Sequence, residues 1–223
     1  MHNMSELKKV VVVLVIIVAV ALWEGFGGLF FSYPMVNYPP RGPRVMVWGD
    51  SLSIGVGAST PIHGYVGVLS DRLTLNLVNK AGKGETTKDA LLHAEQDLSE
   101  VRPDIVLIFL GGNDLLQGVT PQETFTNLRA LIDKAHAQKA VVYLIGFQKH
   151  PDDVYAKNFA ALARDSGSLY TADIFGGVSA DATAMADEVH PNDRGYLKMA
   201  DKIAPDLEGL VLAGGKESTP AHD

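Results

Sequence analysis

Residues 44–53 read RVMVWGDSLS: an apolar run from Arg44 to Trp48 that stops on Gly49 and passes straight into Asp50, Ser51, Leu52 and Ser53. No polar residue alternates within the run. That is the pattern of a strand covered on both faces, not of one with a wet side. The pattern recurs at Leu75–Val78, at Ile105–Leu110 (IVLIFL) and at Ala140–Ile145 (AVVYLI). Helical spacing fills the intervals: after Thr60-Pro61, over Thr87–Ser99, from Thr120-Pro121 with Glu123 close behind to about Gln138, over Asp153–Arg164, and from about Asp193 to Leu212. Threonine followed by proline is a helix-start signal, because proline at the first helical position gives up an N–H that has no partner there. Buried strands alternating with helices predict a three-layer α/β/α sandwich around a parallel sheet. In such sheets ligands bind beyond the carboxyl ends of the strands, so residues just after each strand are the ones to inspect.

The 223 residues carry a net charge of −7 and no cysteine. The acidic balance argues against a nucleic-acid binder, which needs a basic face to neutralise phosphates. Without cysteine there can be no disulfide framework, zinc finger, iron–sulfur cluster or thiol nucleophile. The mean hydropathy of +0.10 is high for a soluble domain, and the excess sits at the front. Lys8 and Lys9 precede VVVLVIIVAVALW, residues 11–23, and GFGGLFF continues to Phe31 after Glu24. Residues 1–31 are therefore expected to be a membrane anchor or a cleavable signal peptide. The lysines would keep the N-terminus in the cytoplasm while the remainder is exported to the cell envelope. The run before Glu24 is short of the ~20 residues of an ideal span, which favours the signal; the apolar surroundings of Ala21 favour the anchor. Residues 32–43 (SYPMVNYPPRGP) carry four prolines and read as a semi-rigid extended spacer. The domain should then occupy residues 44–213, and residues 214–223 a loose polar tail.

Three motifs lie just after strands. Gly49-Asp50-Ser51-Leu52-Ser53 places a serine on a tight strand-to-helix turn, although GDS alone could be a capping turn. It is not the G-x-S-x-G elbow, since Ser53 stands at the second glycine. Gly111-Gly112-Asn113-Asp114 offers a carboxamide as a fixed donor to a developing oxyanion, or an ordinary Asx turn. Asn79–Thr87 (NKAGKGETT) contains glycines whose N–H could be approached freely, but it lacks the order of a phosphate loop. Near the end, Asp187-Glu188-Val189-His190-Pro191 could give a serine its proton acceptor and the carboxylate that orients it. D-x-x-H alone is weak. Of the other histidines, His2 and His222 fall in tails, His93 and His136 in helical patterns, and His63 and His150 lack comparable strand-end placement. Nothing clusters as metal ligands would.

Taken together, GDSLS (49–53), NKAGKGETT (79–87), GGND (111–114) and DEVHP (187–191) resemble the GDSL/SGNH hydrolase superfamily over nearly the whole domain. The layout is most similar to its bacterial periplasmic arylesterase, acyl thioesterase and lysophospholipase branch. The resemblance implies a five-stranded parallel sheet of flavodoxin-like topology and hydrolysis of carboxylic esters or thioesters, with no cofactor and no metal. It implies Ser51 as nucleophile, His190 as general base and then acid, and Asp187 as its orienting carboxylate. Ser51 N–H, Gly84 N–H and the Asn113 side chain would form the oxyanion hole; Gly84 matches because N-x-x-x-x-G-x-T counts from Asn79 to Gly84 and Thr86. Asp50 and Asp114 would hold the turns. Leu115–Gly118 and Phe147–Tyr155 would build the acyl pocket. The expected partners are a small-molecule or lipid ester and, through the N-terminal segment, a membrane; the enzyme is expected to be a monomer. The alternative within the same chemistry is an O-acetylesterase acting on cell-envelope polysaccharide.

Overall fold

A computed structural model describes residues 33–148 and 153–215. Five strands, β1 (Val45–Gly49), β2 (Val78–Asn79), β3 (Ile105–Phe109), β4 (Val141–Ile145) and β5 (Leu169–Thr171), form one parallel sheet in the order β2-β1-β3-β4-β5. Every residue of β1, β3 and β4 is buried, which is why their sequences are apolar without alternation. The chain runs outward in opposite directions from β1 and β3, leaving a crevice at their carboxyl ends. The pairing runs from Val45 with Ile105 to Gly49 with Phe109, so Asp50-Ser51 and Gly111-Gly112 leave the sheet side by side.

The helices are α1 (Ser51–Ile54), α2 (Tyr65–Arg72), α3 (Thr87–Val101), α4 (Gly112–Leu116), α5 (Pro121–Ala137), α6 (Val154–Ser166) and α7 (Asp193–Gly215), with 3-10 turns at Pro61–His63 and Ala182–Ala184. α2 packs on α7, and α5 packs on both α3 and α6, giving a helical layer on each side of the sheet. Helix starts follow local chemistry. Thr86 and Asp89 form a reciprocal capping box on α3, and Thr120 accepts from the Glu123 N–H ahead of Pro121 in α5.

Two strands differ from the sequence reading. β2 begins at Val78 because Leu75 is turned back onto α2, its N–H donating to Ser70 O and its carbonyl accepting from the Ser70 hydroxyl. β5 has only three residues and one partner strand, too few for a periodic signal. Thr60-Pro61 opens a 3-10 turn, and α2 starts four residues later. The proline-rich stretch lies against the domain. Tyr33 Oη donates to Ser168 O (2.8 Å), Val36 N–H to Gly167 O (2.9 Å), and Asn37 Nδ2 to His136 O and Ala140 O (2.9 and 3.0 Å). All these acceptors precede β4 or β5, so the strap sits at the amino ends of the strands, opposite the crevice. Among the described residues no helix is long and apolar enough to cross a membrane. The candidate anchor or signal in residues 1–31 lies outside the described residues, as do residues 149–152 of the anticipated acyl pocket and residues 216–223 of the tail.

Candidate active site

The serine turn is built by space and capping together. A Cβ on Gly49 would stand 2.0 Å from Ser53 Oγ, so the glycine is needed for close approach. Asp50, extended at φ −117°, caps α1 by accepting the Leu52 N–H at 3.0 Å. Ser51 is thereby the first helical residue, and its N–H has no intrahelical acceptor to meet. Ser53, read from the sequence only as the residue that breaks the elbow pattern, bonds Tyr65 Oη at 2.6 Å, and its carbonyl accepts from Asn79 Nδ2 at 2.7 Å. The Asn79–Thr87 segment is thus tied to the serine turn.

The histidine loop closes on this turn. Ser51 Oγ lies 3.1 Å from His190 Nε2, and His190 Nδ1 lies 2.9 and 3.1 Å from the two oxygens of Asp187. The carboxylate beside Nδ1 places the ring proton there and leaves Nε2 as the acceptor. Asp187 also accepts the N–H groups of His190 (2.7 Å) and Val189 (2.8 Å). Those two N–H groups, with the His190 ring, hold its carboxyl down to about 2 although it is largely exposed. Its spacing of three residues from His190 is that of a loop closed on its own side chain, with Ala186 N–H donating to His190 O at 2.8 Å. Asn192 then caps α7 through the Arg194 and Gly195 N–H groups.

Asn113 stands at the start of α4, behind Gly111 in the left-handed region at φ +108°. Its Nδ2 donates to Asp50 Oδ2 (3.1 Å) and to Glu85 O (3.0 Å), which fixes the amide's orientation. Asp114 points the other way and is fully buried, accepting the Thr87 N–H and hydroxyl. Burial pushes the Asp50 carboxyl up to about 6, against the Leu52 N–H bond and the nearby His190 that lower it. Of the two candidate glycines, Gly84 has φ +72° and open space where a Cβ would be. A Cβ on Gly82 would instead meet Glu85 Oε2 at 2.1 Å.

A cleft of about 430 Å³ opens from Ser51 and Asn113. Leu115, Leu116 and Phe147 line it, as the sequence suggested, together with Phe109, Phe175 and Met185. Phe175 and Met185 were missed because they follow β5, whose three residues gave no anchor for placing that loop. Among the described residues no group of three or more His, Cys, Asp or Glu is placed to hold a metal ion.

Comparison with known proteins agrees with this architecture. The chain is 30% identical to esterase TesA of Pseudomonas aeruginosa over 179 residues, 75% of this chain and 89% of that protein. It is 27% identical to thioesterase 1/protease 1/lysophospholipase L1 of Escherichia coli over 75% of this chain and 84% of the relative. A crystal structure of TesA superposes with a TM-score of 0.70 at 29% identity, covering 75% of this chain and 99% of the other. The model of the GDSL-like lipase/acylhydrolase family matches residues 47–198. That stretch takes in both the serine turn after β1 and the histidine loop before α7, and the chain belongs to this family.

Proposed function

We propose that this serine ester hydrolase cleaves carboxylic esters or thioesters through an acyl-enzyme on Ser51, with His190 as general base and acid and Asp187 orienting it. The observation that carries the reading is the hydrogen-bond line from Ser51 Oγ through His190 to Asp187 at the mouth of an apolar cleft. Ser51 Oγ attacks the substrate carbonyl while its proton passes to Nε2. The imidazolium that forms keeps its Nδ1 proton on Asp187. The oxyanion rests on the N–H groups of Ser51 and Gly84 and on Asn113 Nδ2. Both Asn113 hydrogens already have acceptors, so the oxyanion shares one of them with Asp50 or with the Glu85 carbonyl. Collapse expels the alcohol or thiol with the proton from His190. Water, deprotonated by His190, then releases the acid and restores Ser51.

The aromatic and aliphatic lining supports an acyl chain longer than acetyl, in the manner of arylesterases, lysophospholipases and acyl thioesterases. The basic and apolar start of the chain supports export to the cell envelope, with membrane attachment if residues 1–31 are retained. A p-nitrophenyl ester series of increasing acyl length, run on the wild type and Ser51→Ala, tests the reading. Turnover should persist well beyond acetyl and vanish in the variant. Collapse beyond short acyl groups would favour polysaccharide O-deacetylation instead.

A further inference from the structure

His93, half-buried on α3, has no part in the serine–histidine–aspartate line, yet both its ring nitrogens face carboxylates. Nδ1 is 2.5 Å from Asp97 Oδ2 and Nε2 is 2.8 Å from Glu85 Oε1. A neutral imidazole has one N–H and one lone pair, so one of these contacts would set lone pair against carboxylate oxygen. With both carboxylates ionised, only the imidazolium satisfies both.

The two carboxylates lead to two segments of the candidate oxyanion hole. Asp97 Oδ2 also accepts Trp48 Nε1 at 3.0 Å, and Trp48 is the β1 residue three before Ser51. Glu85 directly follows Gly84. Its N–H donates to Gly82 O at 3.3 Å, its side chain covers Gly82, and its carbonyl accepts Asn113 Nδ2. The segment carrying Gly84 N–H is therefore gripped at Glu85, by His93 from behind and by Asn113 from the side.

We propose that His93 is a positioning residue which, as an imidazolium bridging Glu85 and Asp97, holds the Gly82–Glu85 turn in line with Ser51 and Asn113, and that loss of its proton sets an alkaline limit to turnover. The inference rests on the reading of Gly84 and Asn113 as oxyanion donors. The groups facing His93 are Glu85 from the turn after β2, Asp97 on its own helix, and Lys80, paired to Asp97 at 3.2 Å and to Glu100 at 2.7 Å. Asp89, on the first turn of α3, adds further negative charge. Burial pulls the His93 pKa down, but its bonds to Asp97 and Glu85 outweigh burial and the net shift is upward. Burial raises Glu85 as well, against the pull of His93, so that carboxyl gains by keeping its cation. The sign follows. The cation is lost as pH rises through a value above the usual one for histidine, so alignment fails on the high-pH side.

The test is kcat and KM for a soluble short-chain p-nitrophenyl ester, corrected for spontaneous hydrolysis, across neutral and alkaline pH. The wild type should lose kcat on the alkaline side with KM nearly flat. His93→Gln should lower neutral-pH kcat about tenfold to a hundredfold, the scale of a small misplacement of catalytic groups, and the alkaline fall should disappear. Glu85→Gln keeps an acceptor but removes one charge, so the fall should move to lower pH. If His93→Gln does not fold, Glu85→Gln decides: a displaced limb supports the proposal, an unmoved one overturns it. A wild type with no alkaline fall, or His93→Gln with wild-type kcat and profile, also overturns it. Asn113→Ala separates the two readings. If it is active, the oxyanion assignment itself fails; if it is inactive while His93→Gln behaves as wild type, only the role of His93 fails.

Discussion

Two aspartates flank the reaction and their environments push them in opposite directions. Asp187, held to about 2 by backbone N–H groups and the His190 ring, remains a carboxylate well below neutral pH. Asp187→Asn should cut kcat by about three to four orders of magnitude without abolishing acyl-enzyme formation, as in other serine triads. Asp50 is buried with its pKa raised from 3.8 to about 6. The folded state therefore holds its proton more tightly than the unfolded chain does, and ionisation costs stability as pH rises from about 4 to about 6, reaching about 3 kcal/mol. Asp50→Asn removes that cost and can still cap α1, but its new N–H faces the fixed Asn113 N–H. Urea unfolding should find the variant more stable than wild type at pH 8, by less than that amount, with the gain fading towards pH 4; ester turnover should fall at least tenfold. Asn113→Ala removes one donor and should cost ~3 kcal/mol of barrier, a hundredfold or more in kcat, with the unfolding midpoint little changed. Ser51, Asn113 and His190 were legible because each follows a strand or precedes a helix with a recognisable start. Glu85, His93 and Asp97 were not. Their meaning lies in ring nitrogens meeting carboxylates from separate segments, and in sequence His93 was only a histidine on a helical pattern.

At the scale of elements, the distance between Ser51 and His190 is set by what joins α1 to α7. The loop after α1 is fastened by Tyr196 Oη to Val56 O (2.5 Å) and by Ser59, whose N–H and hydroxyl both donate to Asp193 (2.7 and 2.6 Å). Between these ties Gly57 sits at φ +94°, where a Cβ would lie 2.5 Å from Pro191 O and 2.9 Å from His190 Cβ. Gly57→Ala meets an unfavourable backbone and a backbone oxygen that cannot move aside. It should destabilise the fold by about 2 kcal/mol in urea titration and depress kcat more than KM, because His190 must retreat; unchanged kcat would mean that the loop does not set the serine–histidine distance. The central strands were readable because burial on both faces writes itself as unbroken apolar runs. β2 and β5 were misjudged or missed because edge strands of two and three residues carry little burial. Their bounds depend on tertiary ties such as Leu75 to Ser70.

For the whole molecule, composition separated an apolar front from an acidic domain, but the spacer could not be judged from its prolines. Proline-rich sequence is extended whether it spans solvent or lies on a surface, and only partners such as His136 O and Gly167 O distinguish the two. We propose that residues 33–43 belong to the folding unit. A chain beginning at Tyr33 should be more stable than one beginning at Arg44 by about 2–4 kcal/mol, at roughly 1 kcal/mol for each lost hydrogen bond, while equal urea midpoints would return the segment to the role of a spacer. The strap lies at the pole opposite the cleft, so its loss should lower stability before it alters the site. The proposed reaction turns on one covalent bond. Mass spectrometry of the intact and digested protein after reaction with an alkyl p-nitrophenyl phosphonate should find one adduct, on the peptide carrying Ser51, and none with Ser51→Ala; an adduct on another residue, or labelling that survives the substitution, would contradict it.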